Sequence, residues 1–135
     1  VLGAATYAGP LPEVGWHRVQ ASAESRSHPV ASVLPAELET FLWHGDTFDL
    51  PRGARCLAHS AACPHQGFYI GRRIVGLQFH LETTRESLDA LIANCADEIG
   101  DGPFIQPAAT MRAVTDRFTP NQKVMKALLD QWVVA

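Results

Sequence analysis

The sequence predicts an α/β fold, and three observations carry that expectation. The first half is a series of short segments with strand character, set between glycine and proline marks. The second half holds two segments whose apolar residues recur at helical spacing. Between them, the most apolar strand runs directly into a histidine, a glutamate and a helix start. The strands are expected to join a sheet begun upstream, with residues 1–135 forming part of one domain.

Each element follows in chain order. Residues 14–19, Val-Gly-Trp-His-Arg-Val, read as a strand that starts after the breaks at Gly9-Pro10 and Pro12. Residues 40–44 read as a second strand, closed by a turn at Gly45-Asp46 where Asp46 satisfies local amides. Residues 54–58 and 67–70 give two more. Residues 74–79 give a fifth, joined to the fourth by a Gly71-Arg72-Arg73 hairpin turn. Thr83-Thr84-Arg85-Glu86 has the Thr-x-x-Glu form of a capping box. Leu88, Leu91, Ile92 and Cys95 then make one apolar helical stripe that stops at Gly100. A second helix is expected from Thr119-Pro120, with Gln122 completing a Thr-x-x-Gln box and Met125, Leu128, Leu129 and Trp132 as its buried stripe.

Composition narrows the classes of function. With 47% hydrophobic and 19% charged residues, the chain can supply a core and is not biased towards disorder. A net charge of −3 without a Lys/Arg cluster argues against nucleic acid. No apolar stretch reaches membrane-spanning length, and no signal peptide is evident. Three cysteines, Cys56, Cys63 and Cys95, do not suit a disulfide framework, so a reducing cytoplasm is the expected location.

The chemistry concentrates at Gly76-Leu77-Gln78-Phe79-His80-Leu81-Glu82. Side chains two apart on an extended segment point the same way. Glu82 can therefore accept a proton from one ring nitrogen of His80 and leave the other free as a base. The competing reading of the tripeptide alone is a solvent-facing ion pair at a strand end. A second cluster, Cys56, His59, Cys63 and His65, offers soft and borderline metal ligands, but its C-x2-H-x3-C-x-H spacing is not a standard zinc form. No metal site is assigned. Trp16, Trp43 and Phe79 are expected in the core; His17, His28, His59 and His65 are read as ordinary surface or strand residues.

The His80 stretch resembles the Gly-x-Gln-Phe-His-Pro-Glu signature of class I glutamine amidotransferases, with Leu81 at the commoner Pro position. Further segments resemble that family in the same order: Glu13-Val14-Gly15-Trp16, Trp43-His44-Gly45-Asp46-Thr47-Phe48, Leu50-Pro51-Arg52-Gly53 with Leu57-Ala58-His59-Ser60, and Gln66-Gly67-Phe68. The likeness runs to about Glu86; the tail from Gly102 carries no signature. It implies the C-terminal part of a flavodoxin-like, three-layer amidotransferase domain of the stand-alone, GMP-synthase-like kind. It implies hydrolysis of the side-chain amide of L-glutamine to glutamate and ammonia by a Cys-His-Glu triad. His80 is then the general acid/base and Glu82 its orienting partner, while backbone near His44, Gly45 and Asp46 contacts the α-amino and carboxylate groups of glutamine; the competing reading of His44 and Asp46 is a turn that only closes the strand. No metal or organic cofactor is implied.

The family's nucleophile sits on a Gly-x-Cys-x-Gly elbow, and no such motif occurs in this sequence. Cys56, Cys63 and Cys95 read as buried or incidental thiols. Val1 to Pro10 resemble the segment just downstream of that elbow, so a nucleophile-bearing N-terminal segment is expected before Val1, and the chain alone is expected to be inactive. That segment, or an ammonia-accepting protein, is the implied partner. Two alternatives stand beside this reading: a cysteine-less half-domain that binds or regulates another chain through an open sheet edge, and a γ-glutamyl hydrolase using the same triad on a larger substrate.

Overall fold

The computed structural model describes residues 2–134. Five strands form one antiparallel sheet: β1 (Thr6–Ala21), β2 (Glu37–Phe48), β3 (Arg55–Ser60), β4 (Gly67–Ile70) and β5 (Ile74–Leu77), in the order β2-β1-β3-β4-β5. Three helices follow: α1 (Arg85–Asn94), α2 (Ala108–Ala113) and α3 (Phe118–Val134). The sheet curls. The chain leaving β5 crosses to the free edge of β2, where the His80 amide donates to the Phe41 carbonyl at 2.8 Å.

β1 and β2 are much longer than their apolar runs suggest. The expected breaks at Gly9, Pro10 and Pro12 fall inside β1, where the register with β2 shifts between Ala8 and Glu13. A bulge of this kind takes up residues that cannot join a regular ladder. The expected turn at Gly45-Asp46 also lies inside a strand, since β2 runs on to Phe48 and Asp46 pairs with Ala8.

Alternation along the long strands builds two cores, one on each face of the sheet. Outside the curl, Val14, Trp16 and Phe41 pack with Leu88 and Ile92 of α1 and Met111 of α2. Inside it, Val19, Leu42, Leu57, Ala58 and Tyr69 pack with Phe79 and Leu81. Gly15 sits between them at a φ of +123°, and a Cβ there would lie 2.4 Å from the Gln106 side chain. Gln106 uses that space to pair with Trp16 as a strand would. Its amide accepts from the Trp16 N–H at 2.9 Å and donates to the Trp16 carbonyl at 2.8 Å.

The helices depart from expectation in detail. The capping box of α1 is Thr84 with Ser87, one residue later than Thr83 and Glu86, because Thr83 is buried and Thr84 takes the extended cap conformation. The helix ends at Asn94, with Cys95 as its cap and a 3-10 turn over Ala96–Glu98 before Gly100. α2 was not expected at all: six residues show too little periodicity. Of the α3 stripe, Leu128 is buried, but Leu129 and Trp132 are exposed. Trp43 is only half-buried, its indole N–H donating to Glu98. His28, read as ordinary, is buried and accepts the Val30 and Ala31 amides at Nδ1 while Nε2–H donates to the Gly71 carbonyl. Among the described residues no helix is long and apolar enough to cross a membrane.

Candidate active site

Period-2 alternation continues beyond β5 and sets the orientation of the key pair. Phe79 and Leu81 are buried, so His80 and Glu82 between and after them face outward. The backbone at His80 is held on both sides: its N–H bonds Phe41, and its carbonyl accepts from Thr40 Oγ1 at 3.0 Å. His80 Nδ1 lies 2.7 Å from Glu82 Oε1. A carboxylate only accepts, so Nδ1 carries the proton, and Nε2 makes no hydrogen bond among the described residues. The pair is open to solvent, with side chains 40% and 59% exposed.

His44 and Asp46 also meet other groups, though not as a turn. His44 Nδ1–H donates to the Asp46 carbonyl at 2.9 Å, and the same carbonyl accepts from the Gln78 side-chain amide. It is the Asp46 carbonyl, not its carboxylate, that organises this segment. Gln78 lies two residues before His80, so it links the 44–46 segment to the strand that carries the pair. Beside this link lies an open cleft of about 600 Å³, bordered by Asp46, Thr47, Phe48, Phe68, Gly76 and Gln78. His80 and Glu82 are not among its lining residues.

Behind His44 is a polar cluster that sequence reasoning missed. Glu13 and Gln66 are both fully buried. Glu13 Oε2 lies 3.2 Å from His44 Nε2, and the Gln66 amide donates to Glu13 and, at 3.0 Å, to Ser60 Oγ. The signal was present: Glu13 is a charged residue at the head of the apolar run Val14-Gly15-Trp16, in a segment with no reason to be exposed.

The three thiols lie apart from this arrangement in their bonding. Cys63 is buried, with Thr47 Oγ1 3.2 Å from its sulfur. Burial pushes the Cys56 thiol pKa up. The Cys95 thiol is raised by desolvation and then by the nearby carboxylates of Glu98 and Asp97. A raised pKa keeps a thiol protonated, the opposite of what a nucleophile needs. Among the described residues, no three His, Cys, Asp or Glu side chains are placed to hold a metal ion.

Comparison with known proteins gives a consistent kinship. No family model matches the chain. It is 33% identical over 115 residues to the glutamine amidotransferase-like protein YfeJ of Salmonella typhimurium, a match covering 83% of this chain and 48% of that protein. It is 38% identical over 66 residues to the glutamine-hydrolysing GMP synthase of Thermomicrobium roseum, covering 48% of this chain and 12% of the synthase. The structure of a glutamine amidotransferase from Thermotoga maritima superposes with a TM-score of 0.82 at 31% identity, over all of this chain and 57% of that one. The chain thus spans about half the length of the Salmonella protein.

Proposed function

We infer, from a chain that belongs to the class I glutamine amidotransferase family, that His80 and Glu82 are two members of a Cys-His-Glu triad that hydrolyses the side-chain amide of glutamine. The observation that carries this reading is the 2.7 Å bond from His80 Nδ1–H to Glu82, which leaves Nε2 free on the open side of the ring. That is the geometry a general acid/base requires: one nitrogen fixed by an acceptor, the other directed at the reacting group. The nucleophile is assigned to sequence outside residues 1–135. Cys56 and Cys95 have raised pKa values, Cys63 is buried, and none of the three bonds His80. The exposure of the pair leaves the surface on which the nucleophile-bearing segment would seat.

In the reaction His80 Nε2 takes the proton of the cysteine thiol, and the resulting thiolate attacks the amide carbon. His80 Nε2–H gives its proton to the departing ammonia. Nε2 then takes a proton from the water that cleaves the thioester, releasing glutamate. Glu82 holds the tautomer and stabilises the imidazolium before ammonia leaves and again once water has been deprotonated; between those two events the ring is neutral. The His44-Gly45-Asp46 segment, beside the cleft, is assigned to the α-amino and carboxylate groups of glutamine. No residue of this mechanism needs a metal or organic cofactor.

The test is glutaminase assay of the protein purified at its native length. His80→Ala should lower kcat by at least about 10⁴-fold, and Glu82→Gln by about 10²- to 10⁴-fold. Near-normal turnover by His80→Ala would overturn the assignment. A protein without glutaminase activity at its native length would instead favour a non-catalytic half-domain.

A further inference from the structure

The curl of the sheet encloses an apolar interior with one polar end. Val19, Leu42, Leu57 and Tyr69 fill the body of it. At the end, Glu13 and His44 stand opposite one another in the β1–β2 register, and Gln66 joins them from the loop before β4. These groups do not act for stability alone. Among the described residues Glu13 Oε1 and Gln66 Oε1 are buried without a hydrogen-bond partner, and a buried acceptor left without a donor loses its solvation with no return. Buried charge pairs are often no better for stability than apolar residues of the same size. A cluster built this way calls for another role.

Its connections indicate one. Both ring nitrogens of His44 are engaged: Nε2 faces Glu13 and the Gln66 amide at 3.2 and 3.3 Å, and Nδ1–H donates to the Asp46 carbonyl. With Gln78 as second donor, both lone pairs of that carbonyl are used. The main chain closes the circuit, because the Gln66 backbone carbonyl accepts from the Gln78 backbone N–H at 2.9 Å. The chain Glu13–His44–Asp46 carbonyl–Gln78 therefore runs from β1 across β2 to the residue two before His80.

We propose that Glu13, His44 and Gln66 form a positioning network that fixes the Asp46 carbonyl and the Gln78 side chain at the rim of the cleft, and so sets the affinity for the substrate rather than the chemical step. This rests on the proposed glutaminase reading. His80 and Glu82 make no hydrogen bond to the network's side chains, so chemistry and positioning are separable.

The experiment uses the protein at its native length and two variants, Glu13→Gln, which keeps shape and removes charge, and Gln66→Met, which keeps length and removes the side-chain amide. Two readouts are taken. Side-chain NMR should show the Gln78 amide shifted in both variants relative to the unmodified protein. Glutaminase kinetics should show KM raised by roughly tenfold or more, as small misplacements of binding groups do, with kcat within about threefold. An unmoved Gln78 amide in both variants overturns the network. So does a fall in kcat with KM unchanged, or unchanged kinetics in a folded variant. If the unmodified protein has no glutaminase activity, the functional reading fails while the NMR arm still decides whether the network exists. If Glu13→Gln does not fold, Gln66→Met carries both readouts.

Discussion

Cys56 and Cys95 show how little a thiol's presence says about its reactivity. Each lies half-buried, and in each desolvation is the leading cause of a raised pKa. The thiolate is the reacting form, so its fraction at neutral pH falls below that of a free cysteine. The sign is direct: a raised pKa moves the onset of reactivity to higher pH. Alkylation by iodoacetamide at pH 7 should be slower at both residues than for free cysteine, and the rate should still be rising with pH above the ordinary thiol range. Peptide mass spectrometry over a pH series checks this; fast labelling at either site at pH 7 would sink it. The same scale holds the clearest match between sequence and structure. His80 and Glu82 were legible because two-residue spacing on an extended chain fixes their common side. Glu13 is marked in the sequence only as a charge at the head of an apolar run; its partners, and those of Gln66 and Gln78, lie 22 to 53 positions away and only the folded sheet brings them close.

At the scale of the element, the sequence marked types better than lengths. β4 was expected at 67–70 and spans Gly67–Ile70, since its apolar run ends at a tight glycine turn. β1 extends through Gly9, Pro10 and Pro12, which read as breaks, because pairing with β2 carries the strand past them. α2 is too short to show periodicity, yet it supplies Met111, which is fully buried and accepts the Trp16 indole N–H at its carbonyl. The junction of strand and tail turns on Gly15. A Cβ there would strike Gln106 and must also adopt an unfavourable φ. Gly15→Ala should destabilise the protein by about 1–3 kcal/mol, read as a lower midpoint in urea. An unchanged midpoint would mean that the Gln106 side chain does not rest on Gly15 and Trp16 as described.

Across the whole molecule, stability is divided between the two faces of one sheet. Leu57 is fully buried inside the curl, and Leu57→Ala should cost about 2–5 kcal/mol as lost burial plus cavity. Denaturant unfolding measures it; a loss under 1 kcal/mol would show that the interior collapses to fill the space. The fold class was readable from segment types alone. The curl was not, because no local pattern announces that the two ends of a sheet will meet.

That meeting has a consequence for the order in which the chain can acquire its structure. The closing contact joins Thr40 and His80, forty positions apart, and it requires β1, β3, β4 and β5 to be paired in between. Contacts of long sequence separation form late, after the chain entropy of the enclosed loop has been overcome. The His80 amide, held only at this closing contact, should therefore exchange with solvent faster than the amides of Val19 and Gln20, which sit between β2 and β3; hydrogen exchange followed by NMR checks it.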